Sequence, residues 1–97
     1  MSNKITKSSG NVFLDIGFSA EEAENLQIRS HLMMAISEHI KENNLTQAQA
    51  AKVFGVSQPR INEIMGGKIE LFSIDKLVLM LAHIGKHIDV IISDKAA

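Results

Sequence analysis

The sequence predicts a mainly α-helical domain: a bundle of four to five helices, two of them short and joined by a tight turn, followed by a short C-terminal β-strand. Three observations carry this. Polar capping residues precede apolar runs at Ser19, Thr46, Ser57 and Ser73. Glycines at 55, 66, 67 and 85 close those runs. The segment after Gly85 instead alternates and is rich in β-branched residues.

A chain of 97 residues holds one small core with little stability to spare, so a second chain is a natural part of the fold. With no Trp or Tyr, that core is aliphatic, and Met33, Met34, Met65 and Met80 are read as its gap fillers. The absence of cysteine excludes disulfides, thiolate zinc sites and thiol nucleophiles together. The N-terminal "MSNKITKSSGN" lacks the apolar centre of a signal peptide, and no stretch reaches the roughly 20 apolar residues of a membrane span. A cytoplasmic protein with no membrane partner is expected. The net charge of -1 excludes nucleic-acid binding by bulk electrostatics and requires a local basic face, which Lys52, Arg60 and Lys68, far in sequence from Glu21, Glu22 and Glu24, can supply.

Residues 1–11 are polar and read as a flexible tail. In residues 12–18, "VFLDIGF", Val12, Leu14, Ile16 and Phe18 alternate, which predicts an extended arm or short strand. The helical domain is placed at residues 19–86. Ser19 and Glu22 form a capping box that opens a long helix, with Leu26, Met33, Ile36 and Ile40 inward and Glu38, Lys41 and Glu42 outward, ending at Asn43 and Asn44. Within it, Arg29 has two candidate partners, an acid of the same helix such as Glu22 or a phosphate.

Thr46 and Gln49 repeat the capping box ahead of "QAQAAKVF", which Gly55 ends. Ser57 caps the next helix, Pro59 stands in its first turn where a missing N–H costs nothing, and Ile61 and Ile64 point inward until Gly66 and Gly67. "KIELF" reads as a loop, and Ser73 and Asp75 cap a further helix running to Ile84. That helix, "IDKLVLMLAHI", is apolar on nearly every face and needs more cover than so short a chain supplies. Residues 87–97 form the C-terminal strand and tail; the strand must pair with the "VFLDIGF" arm or with its twin on a second subunit. Leu79, Met80, His83, Ile88, Val90 and Ile92 are accordingly the candidate dimer contacts.

Two short helices around a glycine turn make a helix-turn-helix when the packing positions agree, as they do over residues 46–66. Ala51 is small where the helices come closest, Gly55 makes the turn, and Phe54, Val56, Ile61 and Ile64 supply apolar contacts. The stretch "LTQAQAAKVFGVSQPRINEIMGGK", residues 45–68, resembles the Cro/repressor (XRE-type) helix-turn-helix family, with its "LTQ…A…GVS…I…I…GK" pattern. The flanking "VFLDIGFSAEEAENLQIRSHLMMAI" and "FSIDKLVLMLAHIG" further resemble small bacterial regulators of the HigA-like antitoxin subgroup.

The resemblance implies a lambda-repressor-like fold and a second motif helix lying in the major groove of double-stranded DNA, with its first turn exposed to base edges. Gln58, Arg60 and Asn62 would read bases, Arg suiting guanine and Gln or Asn suiting adenine. Glu63 would accept from cytosine or repel wrong registers, and Pro59 offers only apolar contact. Gln47 would meet the DNA backbone, helped by Lys52, Lys68 and the backbone N–H groups where Thr46 and Ser57 start their helices. Pro59 and Gly66 depart from the family's usual polar residues, and Ile40 and Met65 stand where some members bury an Arg–Glu pair, so an apolar contact is expected there.

No nucleophile triad, phosphate loop or acid pair stands out, so an enzyme is not expected, nor is a cofactor. His83 and His87 have helical spacing, but Gly85 between them breaks the helix, so no metal site is expected. Two functions remain open. One is a sequence-specific transcriptional regulator, a repressor by this reading, acting as a homodimer on a palindromic operator. By the resemblance it would also be the antitoxin of a RelE/HigB-like toxin, autoregulating its operon. The other is an interaction module that keeps the fold without binding DNA.

Overall fold

A computed structural model describes residues 10–94. Its helices are α1 (Val12–Asp15), α2 (Ala20–Glu42), α3 (Gln47–Phe54), α4 (Gln58–Met65) and α5 (Ile74–His83), with a 3₁₀ turn at Ile69–Leu71.

The largest correction lies at the start. The segment expected to be extended begins with a helical turn, because the Asn11 side chain accepts from the N–H groups of Phe13 and Leu14 and so caps α1. The Asn11 amide also donates to the Ala23 carbonyl at 3.0 Å, tying α1 to α2. Asn11 therefore belongs to the domain, whereas residues 1–9 of the expected tail lie outside the described residues. Val12, Leu14, Ile16 and Phe18 remain largely exposed, and Phe13 turns inward with its ring edge-on to Phe18.

Local chemistry dictates the other helix starts. Ser19, Thr46, Ser57 and Ser73 each accept from the backbone N–H three residues on. Only Thr46 completes a reciprocal box, its own N–H donating to Gln49 Oε1 at 2.9 Å. At Ser19 the hydroxyl donates to the Glu22 carboxylate instead of leaving it to the backbone. Asp75 takes no capping part. "KIELF", expected as a loop, contains the 3₁₀ turn.

One core cluster joins α2 (Met33, Ile36, Ile40), α3 (Ala50, Phe54), α4 (Ile61, Ile64), Phe72 and α5 (Leu77, Met80, Leu81). Met33 and Met80 fill it as expected, but Met34 and Met65 are exposed. Of the two residues expected to meet in an apolar contact, Ile40 is buried in the core and Met65 is exposed outside it.

Among the described residues there is no β-strand. A strand needs a ladder partner, and the segment expected to supply one is helical, so residues 86–94 have no regular structure. Ile88 packs half-buried against the core, while Val90, Ile91 and Ile92 stand 76%, 89% and 92% exposed. No helix is long and apolar enough to cross a membrane among the described residues.

Candidate nucleic-acid interface

The pair α3 and α4 is braced from beneath. Ala50, Phe54, Ile61 and Ile64 are all buried, and half-buried Ala51 and Val56 close the contact between the two helices. Gly55 makes the turn at φ 70°, a left-handed conformation that favours glycine, and a Cβ there would crowd the His83 ring of α5 at 3.0 Å.

This bracing turns the opposite side of α4 outward. Gln58, Pro59 and Asn62 are exposed and share one open, concave surface with Gln47 from the start of α3. Gln47 Nε2 donates to Asn62 Oδ1 at 3.3 Å, which orients both amides across the helix boundary. The Thr46 N–H is taken by Gln49, and the Arg60 N–H by Ser57. The N–H groups of Gln47, Ala48 and Gln58, in the first turns of α3 and α4, have no acceptor within their own helices.

Arg60 and Glu63 stand apart from that group. The Arg60 guanidinium pairs with Glu63 Oε1 at 3.0 Å and lies 5.4 Å from the centroid of the buried Phe72 ring. It occupies the other flank of the first turn. Lys52 projects from the solvent side of α3, two residues from buried Ala50 and Phe54, and does not line the concave surface. Lys68 follows the C-terminal end of α4, roughly 12 Å along the helix from its tip. The structure therefore brings Gln47, Gln58, Pro59 and Asn62 together, with Thr46 and Ser57 as caps, and leaves Arg60, Glu63, Lys52 and Lys68 around them.

The candidate dimer contacts divide in the same way. Leu79 is 70% exposed, and Val90 and Ile92 are exposed; Ile88 is half-buried on its own core, and His83 is exposed with its ring against Gly55. Met80, at 3% exposed, packs mainly in the core of its own chain, at the floor of a groove that Leu79 and His83 also line.

Arg29 forms no ion pair with an acid of its own helix among the described residues; its Nε donates to Asn25 Oδ1 at 2.7 Å, and one terminal nitrogen donates to the carbonyls of Ile69 and Phe72, each at 3.3 Å. It thereby fastens the segment after α4 to α2. Contacts across 40 and 43 residues leave no local signal in a sequence. Between α1 and α2, a separate concavity is lined by the apolar Phe13, Phe18, Leu26 and Ile69, with Glu21, Glu22 and Glu70 outnumbering Arg29 among its charged residues.

A family model described as a helix-turn-helix domain matches residues 12–93. A solved structure assigned to the XRE family of transcriptional regulators is similar with a TM-score of 0.69 and 30% sequence identity, over 76% of this chain and 83% of that one. No curated protein matches the sequence.

Proposed function

Because the chain belongs to the helix-turn-helix domain family, we propose that it is a DNA-binding transcriptional regulator whose α4 enters the major groove tip first. The observation that carries this reading is the open surface made by Gln47, Gln58, Pro59 and Asn62, with α4 anchored beneath by the buried Ile61 and Ile64. Amide side chains match the N6 and N7 edge of adenine, and Pro59 matches a thymine methyl group, so the surface favours A·T base pairs at its centre. Gln47 and the free N–H groups of the α3 start serve the DNA backbone. Binding rather than catalysis is the work of such a surface, and a genomic operator as target puts the protein in the cytoplasm.

The protein acts as a homodimer on a palindromic operator with half-sites about one helical turn apart, and represses by occupancy. Exposed Leu79, Val90 and Ile92 support the dimer. The antitoxin role rests on the resemblance, and the acid-rimmed apolar concavity beside α1 gives a basic toxin a surface to hold. Coexpression with the neighbouring reading frame tests it: a stable complex supports the role, and separate elution removes it.

A selection of bound duplexes from random DNA tests the main reading. An enriched palindrome is expected; no enrichment would leave the rival, an interaction module that does not bind DNA. One observation favours that rival, namely that the charge of Arg60 is already met by Glu63.

A further inference from the structure

The side chain of Arg60 rests on a residue from another element. Phe72, 1% exposed, follows the 3₁₀ turn, and the Arg60 guanidinium lies over its ring at 5.4 Å from the centroid. A guanidinium held by an aromatic face keeps its N–H donors free at the rim of its own plane. Glu63 does the opposite, since it occupies one of those donors at 3.0 Å and competes for them with a base. The ring is therefore the restraint on Arg60 that survives when the side chain turns to DNA.

Phe72 is held in its turn by Arg29 of α2. One terminal nitrogen of Arg29 donates to the carbonyls of Ile69 and Phe72, each at 3.3 Å, and so spans the 3₁₀ turn from its first residue to the residue that ends it. The backbone bonds of the turn itself are local: Leu71 N–H donates to the Lys68 carbonyl at 3.0 Å and Phe72 N–H to the Ile69 carbonyl at 3.3 Å. They shape the turn without setting where it lies against α2. Arg29 sets that, and its own Nε is fixed on Asn25 at 2.7 Å.

We propose that Phe72 and Arg29 are positioning residues for base selection. Arg29 places the backbone of Phe72, the Phe72 ring aims the guanidinium of Arg60, and Arg60 meets one base pair from a fixed direction. Selectivity at that pair then depends on α2 and the 3₁₀ turn as well as on α4. The inference rests on the DNA-binding reading above and extends it to residues outside the motif.

The test is fluorescence anisotropy on a duplex selected from random DNA and on a set in which each of its base pairs is changed in turn, discrimination being the ratio of the two affinities. Arg60→Ala marks the pair that Arg60 reads, lowering discrimination there by about 5- to 150-fold. Phe72→Leu keeps the core apolar and should lower discrimination at that same pair by about 2- to 5-fold, the range for a partly exposed cation–π contact, with the other pairs unchanged. Arg29 lies outside the core cluster, so Arg29→Met carries the same expectation even where Phe72→Leu fails to fold. Arg29→Lys, whose ammonium group can donate to both carbonyls, should restore the wild-type value. In the Arg60→Ala background neither Phe72→Leu nor Arg29→Met should change discrimination further. A loss equal on every duplex, or one that persists in the Arg60→Ala background, would show that Phe72 and Arg29 serve folding alone and would overturn the inference while leaving the regulator reading intact. So would an Arg60→Ala loss that is the same on all sequences, since Arg60 would then select no base. A wild type that binds no duplex would overturn both.

Discussion

At the scale of single residues, Arg60 is held by two weak restraints. Its ion pair with Glu63 leaves both side chains 34% exposed, and a solvent-screened pair of this kind contributes roughly 0.2–1 kcal/mol. A bidentate contact with guanine discriminates by about 1–3 kcal/mol, so exchanging Glu63 for a base is downhill. Arg60→Ala should therefore cost about 1–3 kcal/mol on the selected duplex and relax the choice at one base pair. Equal losses on all sequences would make it a phosphate contact instead. Glu63→Gln removes a negative charge from the DNA side and should tighten binding to every duplex tested; weaker binding would mean that Glu63 holds Arg60 in its DNA-competent position. Gly55 is constrained differently, by backbone and neighbour together. Gly55→Ala places a side chain at φ 70° and against the His83 ring, so it should cost more than the roughly 1–2 kcal/mol of a left-handed residue, read as a shift of the urea midpoint.

At the scale of elements, what holds the motif in place is in part remote from it. Arg29 bonds the carbonyls of Ile69 and Phe72, on the segment that carries the chain from α4 to α5. Arg29→Met should leave both carbonyls without this donor and cost about 1.5–3 kcal/mol, the range for hydrogen bonds to a charged group, measured by chemical denaturation. Such a contact is invisible in sequence, whereas the caps at Ser19, Thr46, Ser57 and Ser73 were legible because capping joins residues three apart. The stub α4 was legible for the same reason: its cap, its proline, its inward Ile61 and Ile64 and its glycine stop are all local. The segment at 12–18 was misread because period-two alternation competes with a cap at Asn11, and the cap prevailed through a second bond to Ala23 that only the fold reveals. Arg60 was legible as an exposed-turn residue but not as the partner of Phe72, since that ring arrives from beyond the next turn.

At the scale of the whole molecule, the surplus of apolar surface lies outside the core. Leu79 and the run Val90, Ile91 and Ile92 are exposed, and residues 89–94 pair with no strand among the described residues. A β-branched segment with unpaired backbone donors and acceptors is a template for another strand, and a small domain gains most by using a second copy of itself. Ile88 is anchored on the core, and were the segment paired as a strand, the face that continues from it would carry Val90 and Ile92. Replacing both by Asp sets like charges on that face without touching the buried cluster. The wild type should sediment as a dimer at micromolar concentration and the Val90→Asp, Ile92→Asp variant as a folded monomer. Because two linked half-sites gain about 10²–10⁴ in avidity, the variant should lose most of its affinity for a palindromic duplex while binding a single half-site as the wild type does. A wild type that remains monomeric at that concentration would show that Val90 and Ile92 are covered by some other partner, and the two-fold operator would go with the dimer. Retention of full palindrome affinity by a monomeric variant would instead mean that the two copies meet only on the DNA, through Leu79 on α5.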